Sequence, residues 1–468
     1  MNTSAEPSPI SALRRSRRRR RQAVAGGAAI VIGLSGLGFA AVSRSAAPAG
    51  SSVPGASSAS AAVLDWTPDE RAAIARLAGG GGPPPPSPTN RFADDPAAVD
   101  LGHRLFYDRR FARGVSMGCM TCHIPAEGFA ERRRLPEGTL PGQRHSPTIL
   151  DVAHQRWYFW DGRTDSLWSQ ALDPFEDLKE YASTRVDVVR RLASLDDLAP
   201  AYEAAFGPLP PDDVIARWPA DATPDRANGH PQREAWAAMD LADQEVVNRT
   251  FANIGKSLEA FERRIVTGPS PFDRYAASIA AGGNGGRHLT PAAQRGLRLF
   301  IGRADCIACH TGPQLTDRGF HATGVPAPVE VGTPGGPPAV DPGRWDGLPL
   351  VQANPFNAAG AFSDAPDGSL ARIVQATRRS SDDYRSFRTP TLRNVGLTAP
   401  YMHAGQFATL REVVEFYSTL DGAIRFDHHG QTVLEPRNLS EDEITDLVAF
   451  LEALTGELPD MKWMRKRS

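Results

Sequence analysis

Two Cys-x-x-Cys-His runs hold all four cysteines of this chain. Cys119, Cys122 and His123 form the first, and Cys306, Cys309 and His310 form the second. Two thiols three positions apart can each add across a haem vinyl group, and the next residue then turns its imidazole toward the iron. The spacing predicts two covalently bound haem c groups, each with a histidine ligand, and therefore redox chemistry. Two other chemistries use the same thiols. Four thiolates could close a tetrahedral zinc site, and each pair could form a disulfide or a thioredoxin-like dithiol. Neither explains a histidine after both pairs, and the long stretch between the pairs speaks against one shared metal.

A chain of 468 residues, 41% of them hydrophobic, can bury two domain-sized cores. Glycine (43) and proline (40) are abundant, which predicts long loops. Arg14, Arg15 and Arg17 to Arg21 precede an apolar run from Ala23 to Val42. This pattern predicts an export signal or an N-terminal membrane anchor, with the remainder on the outer side. Covalent haem attachment is periplasmic in bacteria, which agrees with export. The formal charge of −2 hides an asymmetry, because residues 1–22 carry seven arginines and one glutamate. The rest is acidic, which argues against nucleic acid and suits steering of a basic redox partner.

Ala46 to Ala62 is rich in Ser, Ala, Gly and Pro and reads as a linker. Thr67, Pro68 and Glu70 form a capping box that starts a short helix. Gly79 to Pro88 breaks the chain. Beyond it the sequence repeats weakly. Val99 to Phe106 reads V-D-L-G-H-R-L-F before the first motif, and Gln294 to Phe300 reads Q-R-G-L-R-L-F before the second. Such a pair points to a duplicated mono-haem cytochrome unit. Thr290-Pro291 starts the second of these helices. Val247, Phe251, Ile254, Leu258, Phe261 and Ile265 make one apolar stripe, read as core packing. Gly324 to Ser380 reads as an inserted surface loop. Ser440 and Glu443 cap a last amphipathic helix, stopped by Gly456. Strand signals are scarce, so the fold is expected to be mainly α: two cytochrome c-like haem domains with long loops.

Five stretches resemble the bacterial di-haem cytochrome c peroxidase family, which includes the MauG-type oxidases. They are L-G-H-R-L-F-Y-D (101–108), F-W-D-G-R (159–163), S-P-F-D-R-Y (270–275), T-P-T-L-R-N-V (389–395) and T-A-P-Y-M-H-A-G (398–405). With both haem motifs in order, the resemblance covers about residues 90 to 455. Before it, composition predicts a signal or anchor at 1–45 and a linker with a short helix at 46–89. The resemblance implies a first, peroxidatic haem domain at 90–265. A second, electron-transfer haem domain occupies 266–456, with its insertion at about 324–380, and 457–468 is a tail.

The resemblance also implies roles. His123 is the proximal ligand of the peroxidatic haem, and His310 that of the electron-transfer haem. Trp160 is similar to the tryptophan between the haems, an electron relay or else a buried aromatic. Gln170 and Glu180 fit the pocket, with Pro174 between them. Such a glutamate takes a proton from bound peroxide and returns it to the leaving oxygen. The alternative is a surface carboxylate, with Glu176 and Asp177 nearby and Leu178 and Tyr181 replacing the usual neighbours. Tyr417, seventeen residues after Pro400, stands where the peroxidases carry a methionine that caps the second haem and the MauG-type enzymes carry tyrosine. A tyrosinate is a hard anionic donor that favours oxidised iron. Met402 competes for this role, and a core tyrosine is the other alternative.

Departures from the family pattern matter as well. Between His123 and Pro147 the one histidine is His145, which aligns with an asparagine that holds calcium in relatives. Histidine is a poor calcium ligand, so calcium held by the carbonyls of Thr398 and Pro400 is in doubt. His145 is also the one candidate for a reversible cap on the first haem. Ala304 replaces the tryptophan that MauG-type enzymes place before the second motif. His403 is expected near a haem or in a structural turn. The leading expectation is a periplasmic enzyme that reduces hydrogen peroxide at the first haem, with electrons passed through the second. Its reductant is a small cytochrome c, a cupredoxin, or a side chain of a protein substrate, and the resemblance implies a homodimer. The rivals are a di-haem electron-transfer protein with two inert six-coordinate irons, and a colourless zinc-stapled protein.

Overall fold

The computed structural model describes residues 64–326, 340–425 and 434–467. The arginine run, the apolar run Ala23 to Val42 and the Ser/Ala-rich segment lie outside the described residues. The described chain is mainly helical. Its one regular strand pair joins Phe320–His321 to Phe387–Arg388, antiparallel, with Phe320 opposite Arg388.

Two helix crossings organise the chain. The opening helix Pro96–Phe106 packs on the closing helix Leu241–Glu262, and Pro291–Ile301 packs on Glu441–Glu452. Asp95 caps the first opening helix and Thr290 the second, each ahead of a proline. Both crossings turn on a glycine. A Cβ at Gly102 would lie 1.8 Å from the Ser257 carbonyl oxygen, and one at Gly296 would lie 2.0 Å from that of Asp446. One turn further on, Phe106 meets Phe261 and Phe300 meets Phe450, both with ring centroids 5.1 Å apart. The weak sequence repeat is thus the contact face of one helix crossing, used twice. The apolar stripe read as core packing is the closing face of the first crossing.

Two cores follow. The first gathers Leu105, Phe106, Phe129, Trp168, Phe175, Phe251 and Phe261. The second gathers Trp66, Phe272, Tyr275, Leu297, Phe300 and Phe450. The capped helix Pro68–Leu77 forms as its capping box predicts. Its apolar side places Ile74 and Leu77 in the second core. There Trp66 Nε1 donates to the Tyr275 hydroxyl at 2.5 Å. Within the stretch expected as a linker with a short helix, Trp66, Ile74 and Leu77 belong to the second core.

The segment expected as an inserted surface loop is different from that expectation where it is described. It folds into helices Arg344–Ala353 and Ser369–Ala376. Leu348, Val351 and Val374 pack on Trp157, while Phe356 and Phe362 enter the first core. Proline and glycine here punctuate short helices. Arg344 is buried between the rings of Trp157 and Phe320, at 4.4 and 4.3 Å from their centroids. The tail also packs. Trp463 stacks edge-on against His103 and Phe261, and its carbonyl accepts from the Tyr107 hydroxyl at 2.9 Å. No helix among the described residues is long and apolar enough to cross a membrane.

Replacing either crossing glycine by alanine drives a Cβ into a carbonyl of the partner helix. Gly102→Ala and Gly296→Ala are each expected to destabilise the fold by about 1–3 kcal/mol. Denaturant unfolding with matched slopes checks this, and unchanged midpoints in both variants would contradict the crossing as described.

Candidate redox site

Both motifs build the same local device. Cys119–Cys122 is one helical turn, after which the His123 backbone N–H donates to the Cys119 carbonyl at 2.9 Å. In the second motif the His310 N–H donates to the Cys306 carbonyl, also at 2.9 Å. The His123 ring Nδ1 faces the Phe129 carbonyl at 3.3 Å, and the His310 Nδ1 faces that of Leu315 at 3.0 Å. Phe129 and Leu315 both adopt the left-handed region (φ 53° and 50°), which turns their carbonyls back toward the rings. A carbonyl at Nδ1 fixes the proton there and leaves the Nε2 lone pair for a metal. Burial lowers the pKa of His123 to about 4 and also lowers that of His310, so both rings are neutral. A metal-binding imidazole must be neutral.

All four cysteines are free thiols. Burial pushes Cys119 and Cys306 up to about 12 and raises Cys122 as well. The first pair packs against the first core, while Cys306 packs against the second. The one group of three metal-capable side chains among the described residues is Cys309, Asp317 and His321. It takes a single thiol from the second motif, so the four-thiolate zinc arrangement does not form. Paired thiols followed by a neutral imidazole with a free Nε2 fit haem c in both places.

The first motif is ringed by carboxylates. Glu180 lies half-buried in the turn that follows Asp173–Glu176. Burial pushes it up to about 8, with Asp173, Asp177 and Glu131 adding repulsion against the relief from Arg163. Its charge is felt by both Cys119 and Cys122. Among the described residues, no hydrogen bond is donated to its carboxylate. The nearby acids are otherwise engaged. Glu176 accepts from Arg185 at 2.7 Å, and Asp177 accepts from the Lys179 N–H at 2.7 Å. Gln170 ends helix Leu167–Gln170, half-buried, and its side chain makes no hydrogen bond among the described residues. Pro174 is the second residue of the next short helix.

Tyr417 belongs to helix Leu410–Thr419, capped by Thr409 and Glu412. Burial pushes its phenol up to about 12, against a hydrogen bond with Thr323, and Cys309 and Cys306 lie within electrostatic reach. Met402 sits half-buried in the turn before that helix, with φ 71°. In the same turn His403 stacks on Phe387 with ring centroids 3.8 Å apart, and burial lowers its pKa to about 4.

Trp160 lies on the seam between the halves. Its Nε1 donates to the His145 carbonyl and its own carbonyl accepts from Arg388, both at 2.8 Å. The His145 N–H donates to the His403 carbonyl at 2.9 Å. His145 is buried, Nδ1 faces the Arg133 carbonyl at 3.1 Å, and Nε2 has no partner. The Thr398 hydroxyl donates to the Val395 carbonyl at 3.3 Å, and Pro400 follows a cis peptide bond.

Sequence reasoning missed Glu131, Glu262 and Arg163. Glu131 and Glu262 are buried, and each has one oxygen without a partner. Arg163 pairs with Asp161 and Asp173 and covers the Phe159 ring at 3.4 Å. Only the last had a signal, as the arginine of F-W-D-G-R.

Residues 96–280 match the family described as di-haem cytochrome c peroxidase. The cytochrome-c peroxidase IdrP1 of Denitromonas iodatirespirans is 32% identical over 78% of this chain and 84% of its own length. The methylamine utilization protein MauG of Methylorubrum extorquens is 29% identical over 77% and 79%. Among solved structures, a MauG-like protein associated with microbial copper homeostasis is similar, with 25% identity and a TM-score of 0.54, covering 80% of this chain and 93% of its own. The di-haem peroxidase BthA of Burkholderia thailandensis shares the fold, with a TM-score of 0.55, 23% identity and coverage of 77% and 86%. The chain belongs to the di-haem cytochrome c peroxidase family, which spans peroxidases and MauG proteins, and it is an oxidoreductase.

Proposed function

We propose that this protein reduces hydrogen peroxide at its first motif, with electrons arriving through its second. The carrying observation is Glu180, a carboxyl raised by burial that accepts no hydrogen bond among the described residues and lies within electrostatic reach of Cys119 and Cys122. Haem c bound at Cys119, Cys122 and His123 supplies the iron at which the peroxide O–O bond breaks. His123 offers Nε2 to that iron, and Gln170 orients the oxidant. Glu180 takes a proton from one peroxide oxygen and gives it to the other, which leaves as water. The overall reaction consumes two electrons and two protons per peroxide and forms two waters. Trp160, bonded to both halves, relays electrons between the two sites. His310 and Tyr417 would hold the second haem.

Tyr417 favours a second reading, MauG-type oxidation of a side chain on another protein. In that case the protein substrate supplies both electrons. In the peroxidase reading a small cytochrome c or cupredoxin supplies them, steered by the acidic surface. Either way, covalent haem attachment and the arginine-led apolar N-terminus support export to the periplasm. Calcium finds little support here, because His145 stands where a better oxygen ligand would be needed.

A carboxyl raised to about 8 is mostly protonated at neutral pH and becomes a base as pH rises. The peroxide step is expected to accelerate with pH, with an inflection above the ordinary carboxylate range. Glu180→Gln removes that inflection and slows the step about a hundredfold. Stopped-flow mixing with one equivalent of peroxide checks both, and undiminished turnover in the variant refutes the assignment. Tyr417→Phe is expected to change the electron-paramagnetic signal of the second haem alone. An unchanged spectrum would remove Tyr417 as a residue that holds the second haem, and a change on Met402→Leu would give that role to Met402.

A further inference from the structure

The peroxide reaction needs more protons than Glu180 can move. Shuttling peroxide's own proton from one oxygen to the other releases the first water. The oxygen left behind becomes water only by taking up two electrons and two protons, and those protons come from solvent. The first motif and Glu180 are half-buried, and a carboxyl beside them is placed to carry those protons.

We propose that Glu131 is this carboxyl, a second proton carrier that recharges the first site from solvent through the loop covering Glu180. The inference rests on the proposed peroxide reaction and deepens it. Glu131 is 4% exposed, and its Oε1 has no partner among the described residues. The group it does meet is the Cys122 thiol. When that sulfur adds to a vinyl group, an S–C bond forms and a hydrogen goes to the other vinyl carbon. The thioether has no proton to share, so the mature chain leaves a buried carboxyl at the edge of the first site with its donor gone.

The surrounding loop gives the carboxyl two neighbours of its own kind. Residues 132–143 fold over the Glu180 turn. The Thr139 hydroxyl donates to the Glu180 carbonyl at 2.6 Å and the Thr139 N–H does so at 3.2 Å. A Cβ at Gly138 would stand 2.2 Å from the Lys179 carbonyl oxygen, so only glycine permits the approach. On the outer side Glu137 is exposed, paired with Arg133, and close enough to act on Glu131. On the inner side Glu131 acts on Glu180. Glu131 thus lies within electrostatic reach of both the exposed Glu137 and the half-buried Glu180. The charged and titratable groups facing Glu131 are Arg133, Glu137, Cys122 and Glu180. Burial holds Glu131 at about 7 and Glu180 at about 8, so both can take and release protons near neutrality. Glu262 makes a useful contrast. It is also buried with an unpartnered oxygen, but the carboxylate beside it, Glu259, is itself buried.

The test compares Glu131→Gln with Glu131→Asp and Glu180→Gln in haem-loaded protein. Soret absorbance per chain first establishes equal loading. In Glu131→Gln, reaction with one equivalent of peroxide keeps its rate, steady-state reduction falls about tenfold, and the solvent deuterium isotope effect grows. Glu131→Asp recovers part of the loss. A readout apart from activity is the infrared carboxylic C=O band of the resting protein, which Glu131→Gln should diminish at neutral pH. Unchanged steady-state turnover, or no change in that band, overturns the proposal. So does a peroxide step slowed as much as turnover, because Glu131 would then act in the first step. Where Glu131→Gln loads poorly, rates are taken per haem from the Soret absorbance, and unchanged turnover per haem overturns the proposal. Unimpaired peroxide reaction in Glu180→Gln instead removes the proposed reaction itself.

Discussion

A neutral imidazole of fixed tautomer, delivered one residue after a pair of thiols, is the constraint on which both halves of this molecule depend. The thiols fix where a porphyrin edge can sit. The ring then has one nitrogen to offer, because a backbone carbonyl from a left-handed residue claims the other. That carbonyl needs a rigid frame. Each half provides one through a helix crossing at a glycine, backed by an aromatic pair one turn away. The same physical unit occurs twice, and residues outside its contact face differ between the two copies.

The halves differ in what surrounds the unit. The first is ringed by carboxyl groups held above their ordinary range by burial, a setting suited to moving protons. The second has a half-buried phenol, Tyr417, and a His321 raised to about 9, first by its hydrogen bond with Cys309 and then, against burial, by Asp317. Between them, Trp160 and His145 exchange hydrogen bonds with residues of both halves. Asp151 adds to the seam, accepting from the Thr267 N–H at 2.9 Å and from Asn394 at 3.1 Å. A seam built from directional bonds keeps the two sites in one register.

Much of this was legible in the chain itself, for physical reasons. Helix N-caps are local, so Thr67, Thr290 and Ser440 mark helix starts that the structure places where expected. The haem motifs are local too, and so is the Gly-x-x-x-Phe face of each opening helix. What escaped is tertiary. Nothing local says that Ile74 and Leu77 belong to the second core, or that Trp463 returns to the first crossing. The insertion hid its helices because proline and glycine shorten them, and its packing on Trp157 is non-local. Glu131 was invisible because a glutamate beside three arginines reads as solvated surface, and only the folded loop buries it. Tyr417 and Glu180 were reached through resemblance, and their surroundings, not their spacing, give them chemical content.

The account stands most directly on how many irons the chain carries and how they are coordinated. Electron-paramagnetic resonance of the ferric protein, repeated after one equivalent of peroxide, measures this. The account predicts one high-spin and one low-spin haem per chain, with the high-spin signal lost on mixing. Two low-spin haems indifferent to peroxide, or a matured protein without Soret absorbance, would contradict it.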